Sequence, residues 1–317
     1  LRRQRQMCIR DRLYRTNAMS RNLEEALLSS NVNYKIVGGV RFYNRAEVKD
    51  VVGYLRILAN PNDLLGVTRV INTPRRGIGS KTIEKYTELA TAAGLGLLDY
   101  LLKTVVEEPD KLQKNIQDFA RIINKLKDLS QKEPVSDLIE DVIEFSGYKA
   151  ELMETGEGEA RLENIQELKS LARKFDGLDF QNGLEKFLEE ISLIESSYES
   201  GKDEKDHVTL MTVHGAKGLE FEYVFIAGME ENLFPHSNSK FDPQELAEER
   251  RLAYVAITRA KKQVFITHAE TRVYFGLRSS NPISRFVEDI PEQLIIYSDN
   301  YSDKKFKKPL STGWELS

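Results

Sequence analysis

The 317-residue chain is 40% hydrophobic and 30% charged, ordinary for globular material and long enough for two domains with real cores. Its longest apolar runs, such as Tyr223 to Ala227, fall far short of the roughly 18 to 20 residues of a membrane span, which predicts a cytoplasmic protein with no membrane partner. A formal net charge of −4 excludes coating of nucleic acid by bulk electrostatics, the single Cys8 excludes an internal disulfide, and four histidines between His207 and His268 show no zinc spacing, so no metal site is expected.

The first twelve residues, LRRQRQMCIRDR, carry five arginines and almost nothing apolar. They resemble translated sequencing-adapter sequence and join abruptly onto a segment that reads as native from Leu13. The expectation is a non-native leader over 1–12 that takes no part in the fold.

From Phe42 to Ser200 the apolar period is helical. Phe119, Ile122, Ile123, Leu126 and Leu129 share one face, as do Leu162, Ile165, Leu168, Ala172 and Phe175, and Leu184, Phe187, Leu188 and Ile191 repeat the pattern. Breaks are marked at Asn60-Pro61-Asn62-Asp63, Thr73-Pro74, Glu133-Pro134 and Thr155-Gly156-Glu157-Gly158. This predicts a helical domain of about 150 residues.

After Gly201 the texture changes. Val208–Val213, Tyr223–Ala227 and Val264–Thr267 are short runs rich in β-branched and aromatic residues and read as buried strands. Between the last two, Pro243 to Ala260 places Leu252, Val255, Ala256 and Arg259 as a helix packed on a sheet would, giving a βαβ unit and an α/β class. The polar tail from Ser298, with Lys304-Lys305-Phe306-Lys307-Lys308, predicts disorder.

Two stretches stand out chemically. Thr212-Val213-His214-Gly215-Ala216-Lys217-Gly218-Leu219-Glu220-Phe221 follows a strand with a Gly-bearing polar loop, which predicts ligand-facing side chains at the C-terminal edge of a sheet. Some thirty residues later comes Glu248-Glu249-Arg250-Arg251-Leu252-Ala253-Tyr254-Val255-Ala256-Ile257-Thr258-Arg259-Ala260, whose Arg259 can reach a phosphate across an interface. Taken alone, both a ligand site and a purely structural role remain open for these residues.

Together they resemble motifs V and VI of UvrD/PcrA-like superfamily 1 DNA helicases. Leu13-Tyr14-Arg15-Thr16-Asn17-Ala18-Met19-Ser20-Arg21 resembles motif IV, and Ile36 to Tyr43 continues the pattern, so the likeness runs from Leu13 to about Leu294. It implies a RecA-like P-loop NTPase-type domain, 2A, over 13–42 and 201–297, split by an all-helical insertion, 2B, over 43–200. It further implies an ATP-dependent 3′ to 5′ helicase acting in repair or replication. ATP with Mg2+, single-stranded and duplex DNA, and repair or replication loading proteins are the implied partners.

The resemblance makes Arg259 an arginine finger and Glu220, with Lys217 and Gly218, the nucleotide contact; a solvated loop carboxylate is the other reading of Glu220. It points to Arg15, Asn17, His236 and Phe275 as contacts to single-stranded DNA, since an aromatic face stacks on any base while Arg, Asn and His hold the backbone. His214 and Thr212 would couple the two sites, with a plain hydrogen-bonded histidine as the alternative for His214.

Thr73-Pro74-Arg75-Arg76-Gly77-Ile78-Gly79-Ser80-Lys81-Thr82 mimics a phosphate loop, but Ser80 stands where a Walker A sequence needs Gly. It instead resembles the duplex-binding Gly-Ile-Gly element of 2B, in which Gly77 and Gly79 open a helix toward a DNA phosphate and Arg75, Arg76 and Lys81 add charge. A tight turn with a solvated basic face is the alternative. No Walker A or acidic Walker B box occurs, which predicts that the ATP-binding domain 1A is absent and that this chain alone hydrolyses no ATP. The start of 2A is also expected to be missing, because the charges of Arg10, Asp11 and Arg12 should not sit in a buried parallel strand; that would leave a sheet edge open. The motor of a recombination helicase-nuclease and a stand-alone DNA- or protein-binding module are the competing readings.

Overall fold

The computed structural model describes residues 10–197, 207–274 and 277–297. Cys8, Phe275 and the polar tail lie outside the described residues. Five strands, β1 (Arg10–Tyr14), β2 (Tyr34–Ile36), β3 (Val208–Thr212), β4 (Phe221–Ala227) and β5 (Ala260–Thr267), form one sheet in the order β2-β3-β1-β4-β5. Every pairing is parallel.

Alternation along these strands sorts their side chains between two layers. Leu13, Met211, Val224 and Ile226 face α11 (Pro243–Ile257) and pack against its Leu252, Ala253 and Ala256. Tyr14, Tyr34, Val208 and Leu210 face the other way, against Met19 and against Leu27 of α1 (Ser20–Ser29). The start of α11 is set locally: Asp242 accepts from the N–H groups of Gln244 and Glu245, and Pro243 occupies the first turn, where no N–H is needed.

The expectations that residues 1–12 take no part in the fold and that Arg10, Asp11 and Arg12 are unfit for a buried strand are overturned for residues 10–12. They form the first residues of β1, the middle strand, and among the described residues the sheet's edge strands are β2 and β5. Two local devices make the charges tolerable. Asp11 is hydrogen-bonded by the Thr209 side chain on the neighbouring strand, although burial still raises its pKa. The Arg12 guanidinium lies 5.5 Å from the centroid of the Phe225 ring, which keeps its long stem on an apolar surface. A backbone ladder satisfies N–H and C=O groups whatever the side chain.

Among the described residues between β2 and β3 are nine α-helices: α2 (Ala46–Ala59), α3 (Leu64–Val70), α4 (Ser80–Ala92), α5 (Leu97–Glu107), α6 (Lys114–Leu129), α7 (Val135–Phe145), α8 (Tyr148–Met153), α9 (Gly158–Ala172) and α10 (Phe180–Ser197). They enclose a core of their own, running from Phe42 to Ile191, that shares no residue with the two clusters of the sheet. Phe119, Ile123, Leu126, Ile165, Leu168 and Phe187 are buried at its centre, each contributing about 1.5–3 kcal/mol by removal from water. No single helix among the described residues is long and apolar enough to cross a membrane. The pair α4 and α5 is apolar enough in sum but bends by 84° at its break, and Leu98 and Leu101 are spent on this core.

A polar seam joins the helical body to the sheet, with α9 at its centre. Arg21 of α1 donates from Nη2 to Glu167 Oε1 at 2.7 Å, with both side chains buried. Arg45 donates to the Asn164 side chain at 2.7 Å and to the Asn17 carbonyl at 2.9 Å, and Asn164 in turn donates to Glu47 at 2.6 Å.

Candidate functional site

The parallel register divides the highlighted residues between opposite edges of the sheet. Tyr14 pairs with Thr212, and Leu13 with Ile226, so Thr212 ends its strand at the C-terminal edge and Arg15 and His214 sit just beyond it. After His214 the chain runs back to the start of β4. Lys217, Gly218 and Glu220 therefore gather at the N-terminal edge, beside Arg259 at the start of β5, roughly 20 Å away at the rise of a seven-residue strand. The expectation of one ligand-facing edge is corrected here: parallel pairing of β3 and β4 on either side of β1 forces the intervening loop to traverse the sheet.

At the C-terminal edge the cluster is organised by Glu249 of α11. Its Oε1 accepts from Arg15 Nε at 2.8 Å and from Nη2, while Oε2 accepts from the backbone N–H of His236 at 3.1 Å. Glu249 lies at a core-facing position of the helix, three and four residues ahead of buried Leu252 and Ala253, and is itself buried. Sequence reasoning assigned it no role, yet a carboxylate on the apolar stripe of an amphipathic helix is a signal, because such a group needs a partner.

His236 Nε2 lies 3.0 Å from Glu163 Oε1 on α9, and its Nδ1 accepts from the Asn238 N–H at 3.4 Å. These residues line an open cleft of about 300 Å³ with Met153, Leu162 and Gln166. His214 stands close enough to feel both charges. Partial desolvation and then the Arg15 guanidinium hold its imidazole below the ordinary value of 6.5, while Glu249 pulls weakly upward. Thr212 Oγ1 accepts from the Gly215 N–H at 3.1 Å and shapes the turn that carries His214. Asn17 exposes its side chain one turn beyond Arg15, its carbonyl held by Arg45.

At the N-terminal edge, Arg259 follows the end of α11 and bridges to the loop before β4. Its Nε donates to the Val255 carbonyl at 3.1 Å and its Nη1 to the Leu219 carbonyl at 2.9 Å. Gly218, in the loop between Lys217 and Glu220, has φ of +84°, a conformation costly for a residue with Cβ. Lys217 is exposed, and Glu220 pairs with Lys261 at 3.1 Å on the surface. The edge presents cations and backbone groups suited to phosphate.

A third group lies in the helical body. Asn72 Oδ1 accepts from the N–H groups of Arg76 and Ile78, Ile78 is buried, and Gly77 has φ of +70°, so the loop before α4 is held rigidly. Arg75, Gly77, Gly79 and Lys81 are exposed along it. Arg76 departs from the expectation of a DNA contact. Its Nη1 donates to the Thr73 carbonyl at 2.9 Å, its Nη2 to Tyr54 Oη at 3.0 Å and to the Ser146 carbonyl at 3.1 Å, and its guanidinium covers the Phe119 ring. Those donors close the loop from inside rather than face solvent.

Strands β6 (Arg272–Tyr274) and β7 (Leu277–Ser279) pair antiparallel, and Phe275 lies outside the described residues. The strand pair is anchored by Glu230, buried after β4, which accepts from Arg272 Nε at 3.0 Å and from the Ala269 N–H at 2.8 Å. Burial pushes this carboxyl upward, but those hydrogen bonds outweigh it and leave the pKa below the ordinary value.

A parallel sheet interrupted between its second and third strands by a helical body, with one helix packed on it between polar clusters at both edges, defines a mixed α/β class of protein. The chain belongs to the UvrD-like helicase C-terminal domain family, which it matches over residues 3–271. It is similar to the ATP-dependent DNA helicase PcrA of Bacillus subtilis (strain 168), 39% identical over 303 residues that cover 92% of this chain and 40% of the relative. The PcrA helicase of Staphylococcus aureus (strain NCTC 8325 / PS 47) is 42% identical over 302 residues, and that of Staphylococcus epidermidis (strain ATCC 12228 / FDA PCI 1200) is 41% identical over 301, with the same coverage of each chain. The chain thus spans about 40% of the length of the curated relatives it matches.

Proposed function

We propose that this chain is the 2A and 2B part of an ATP-dependent 3′ to 5′ DNA helicase, with residues 10–42 and 201–297 in a RecA-like 2A domain and 43–200 in 2B. The observation that carries the reading is the division of labour across one sheet. Arg15, His214 and His236 gather at one edge, and Arg259, Lys217, Gly218 and Glu220 at the other, joined by α11.

In this reading Arg259 acts on the γ-phosphate of ATP as an arginine finger, where a guanidinium stabilises charge that develops during transfer. Lys217 and Gly218 flank the polyphosphate and Glu220 the ribose. The cationic edge suits a nucleotide, and Mg2+ bound with ATP would be held mainly by a Walker A domain, a sequence that does not occur in this chain. Arg15, Asn17, His236 and Phe275 form part of the single-stranded DNA track, with His214 and Thr212 between track and nucleotide. The rigid Gly77–Gly79 turn, with Arg75 and Lys81, meets a phosphate of the duplex ahead.

The test is Arg259→Ala in a complete helicase carrying this chain. DNA-stimulated ATP turnover should fall by about 10³-fold with DNA affinity retained. Turnover within a few-fold of the unsubstituted protein would refute the finger.

A further inference from the structure

We propose that Glu249 is a positioning residue, which holds the Arg15 guanidinium in a fixed orientation so that its remaining N–H groups face a nucleic-acid phosphate. The inference rests on the reading of Arg15 as a strand contact and adds to it the group that orients that contact. A guanidinium has five donors in a rigid fork. Arg15 spends Nε and one Nη2 hydrogen on the Glu249 carboxylate, which leaves Nη1 and the outer Nη2 hydrogen on the opposite side. The arginine side chain is 20% exposed and the carboxylate 4%, so a phosphate can approach the first without meeting the second.

Two further contacts make the arrangement a built one. The second carboxylate oxygen accepts from the His236 N–H, so the same group fixes the loop that presents His236. Glu249 also belongs to α11, which ends at Ile257 two residues before Arg259, so the orientation of Arg15 is referred to the helix that reaches the other edge. An arginine already ordered before binding loses less freedom when phosphate arrives, an advantage on the order of three- to tenfold in affinity.

The experiment is fluorescence anisotropy of a labelled oligothymidylate titrated with this chain, for the unsubstituted protein, Glu249→Gln, Arg15→Ala and the double variant. Glu249→Gln should weaken binding about three- to tenfold, and Arg15→Ala at least as much, with a salt slope smaller by about 1. In the Arg15→Ala background, Glu249→Gln should then have no further effect, whereas a merely structural role would weaken binding equally in both backgrounds. Unchanged or tighter binding by Glu249→Gln overturns the proposal, since it makes the carboxylate a bystander or a repellent. If that variant does not fold, Arg15→Lys carries the test: the charge stays but the fork is lost, and affinity equal to the unsubstituted chain overturns the proposal. Absence of saturable binding by the unsubstituted chain overturns the strand-contact reading itself, a result distinct from the others.

Discussion

Arg259 and Leu219 are locked together: the guanidinium donates to the Leu219 carbonyl at 2.9 Å, and two residues on, the Phe221 N–H donates to the Arg259 carbonyl at 2.8 Å. The end of α11 and the loop before β4 thus form one unit. Arg259→Ala removes the first bond and leaves the second. Amide exchange at Lys217 to Glu220 should accelerate at least tenfold, with a global stability loss of about 1 kcal/mol. Unaltered protection would mean that the left-handed turn at Gly218 holds the loop unaided.

The seam between sheet and helical body should depend on Glu167. Arg21 keeps Glu25 as a second partner at 2.8 Å, so Glu167→Ala leaves a buried guanidinium half compensated rather than bare. We expect a loss of about 2–4 kcal/mol, toward the lower end of what breaking a buried pair costs. Urea denaturation measures it. A loss under 0.5 kcal/mol would show that water enters the seam and solvates Arg21.

In the loop before α4, neighbouring arginines should behave oppositely. Arg75→Ala and Lys81→Ala should each weaken duplex DNA binding and lower its salt slope by about 1, without changing the melting temperature. Arg76→Ala strips donors from several backbone carbonyls and from Tyr54, and should lower the melting temperature by several degrees. Melting curves and filter-binding isotherms at several salt concentrations separate the two. An Arg76→Ala variant that melts normally but binds poorly would return Arg76 to the DNA contacts.

His214 should titrate below 6.5 in an NMR pH series, since partial desolvation and Arg15 both oppose its protonation. A folded-state pKa below the unfolded one favours the neutral imidazole, so the stability it contributes is full above the unfolded pKa and is lost as pH falls through the folded one. Arg15→Ala should move the midpoint up, and Glu249→Gln should move it down. A midpoint indifferent to both would place His214 outside the electrostatic reach of the cluster.

Much of this organisation is legible from local pattern. Of the expected helix face, Leu252 and Ala256 do cover the sheet, joined by Ala253 rather than by Val255 and Arg259, and the proline and glycine breaks at Pro61, Pro74, Pro134 and Gly156 do separate helices. The charged start of β1 was not legible. Side-chain hydropathy reports the layer a residue faces, whereas strand formation there rests on backbone pairing with β3 and β4, and Asp11 and Arg12 find their partners, Thr209 and Phe225, about 200 residues away. The same limit applies to Arg75 and Arg76, identical and adjacent, of which one faces solvent and the other closes a loop.

The amino-acid sequence by itself determined the change from helical to α/β texture, the family membership and the candidate site residues, because periodicity and motif spacing are local properties. Only the tertiary structure decided that Lys217, Glu220 and Arg259 share one edge while Arg15, His214 and His236 share the other, and that Glu249 stands among the latter. Parallel register and the long connection through the helical body bring residues from distant stretches together, and no local pattern encodes which of them will meet.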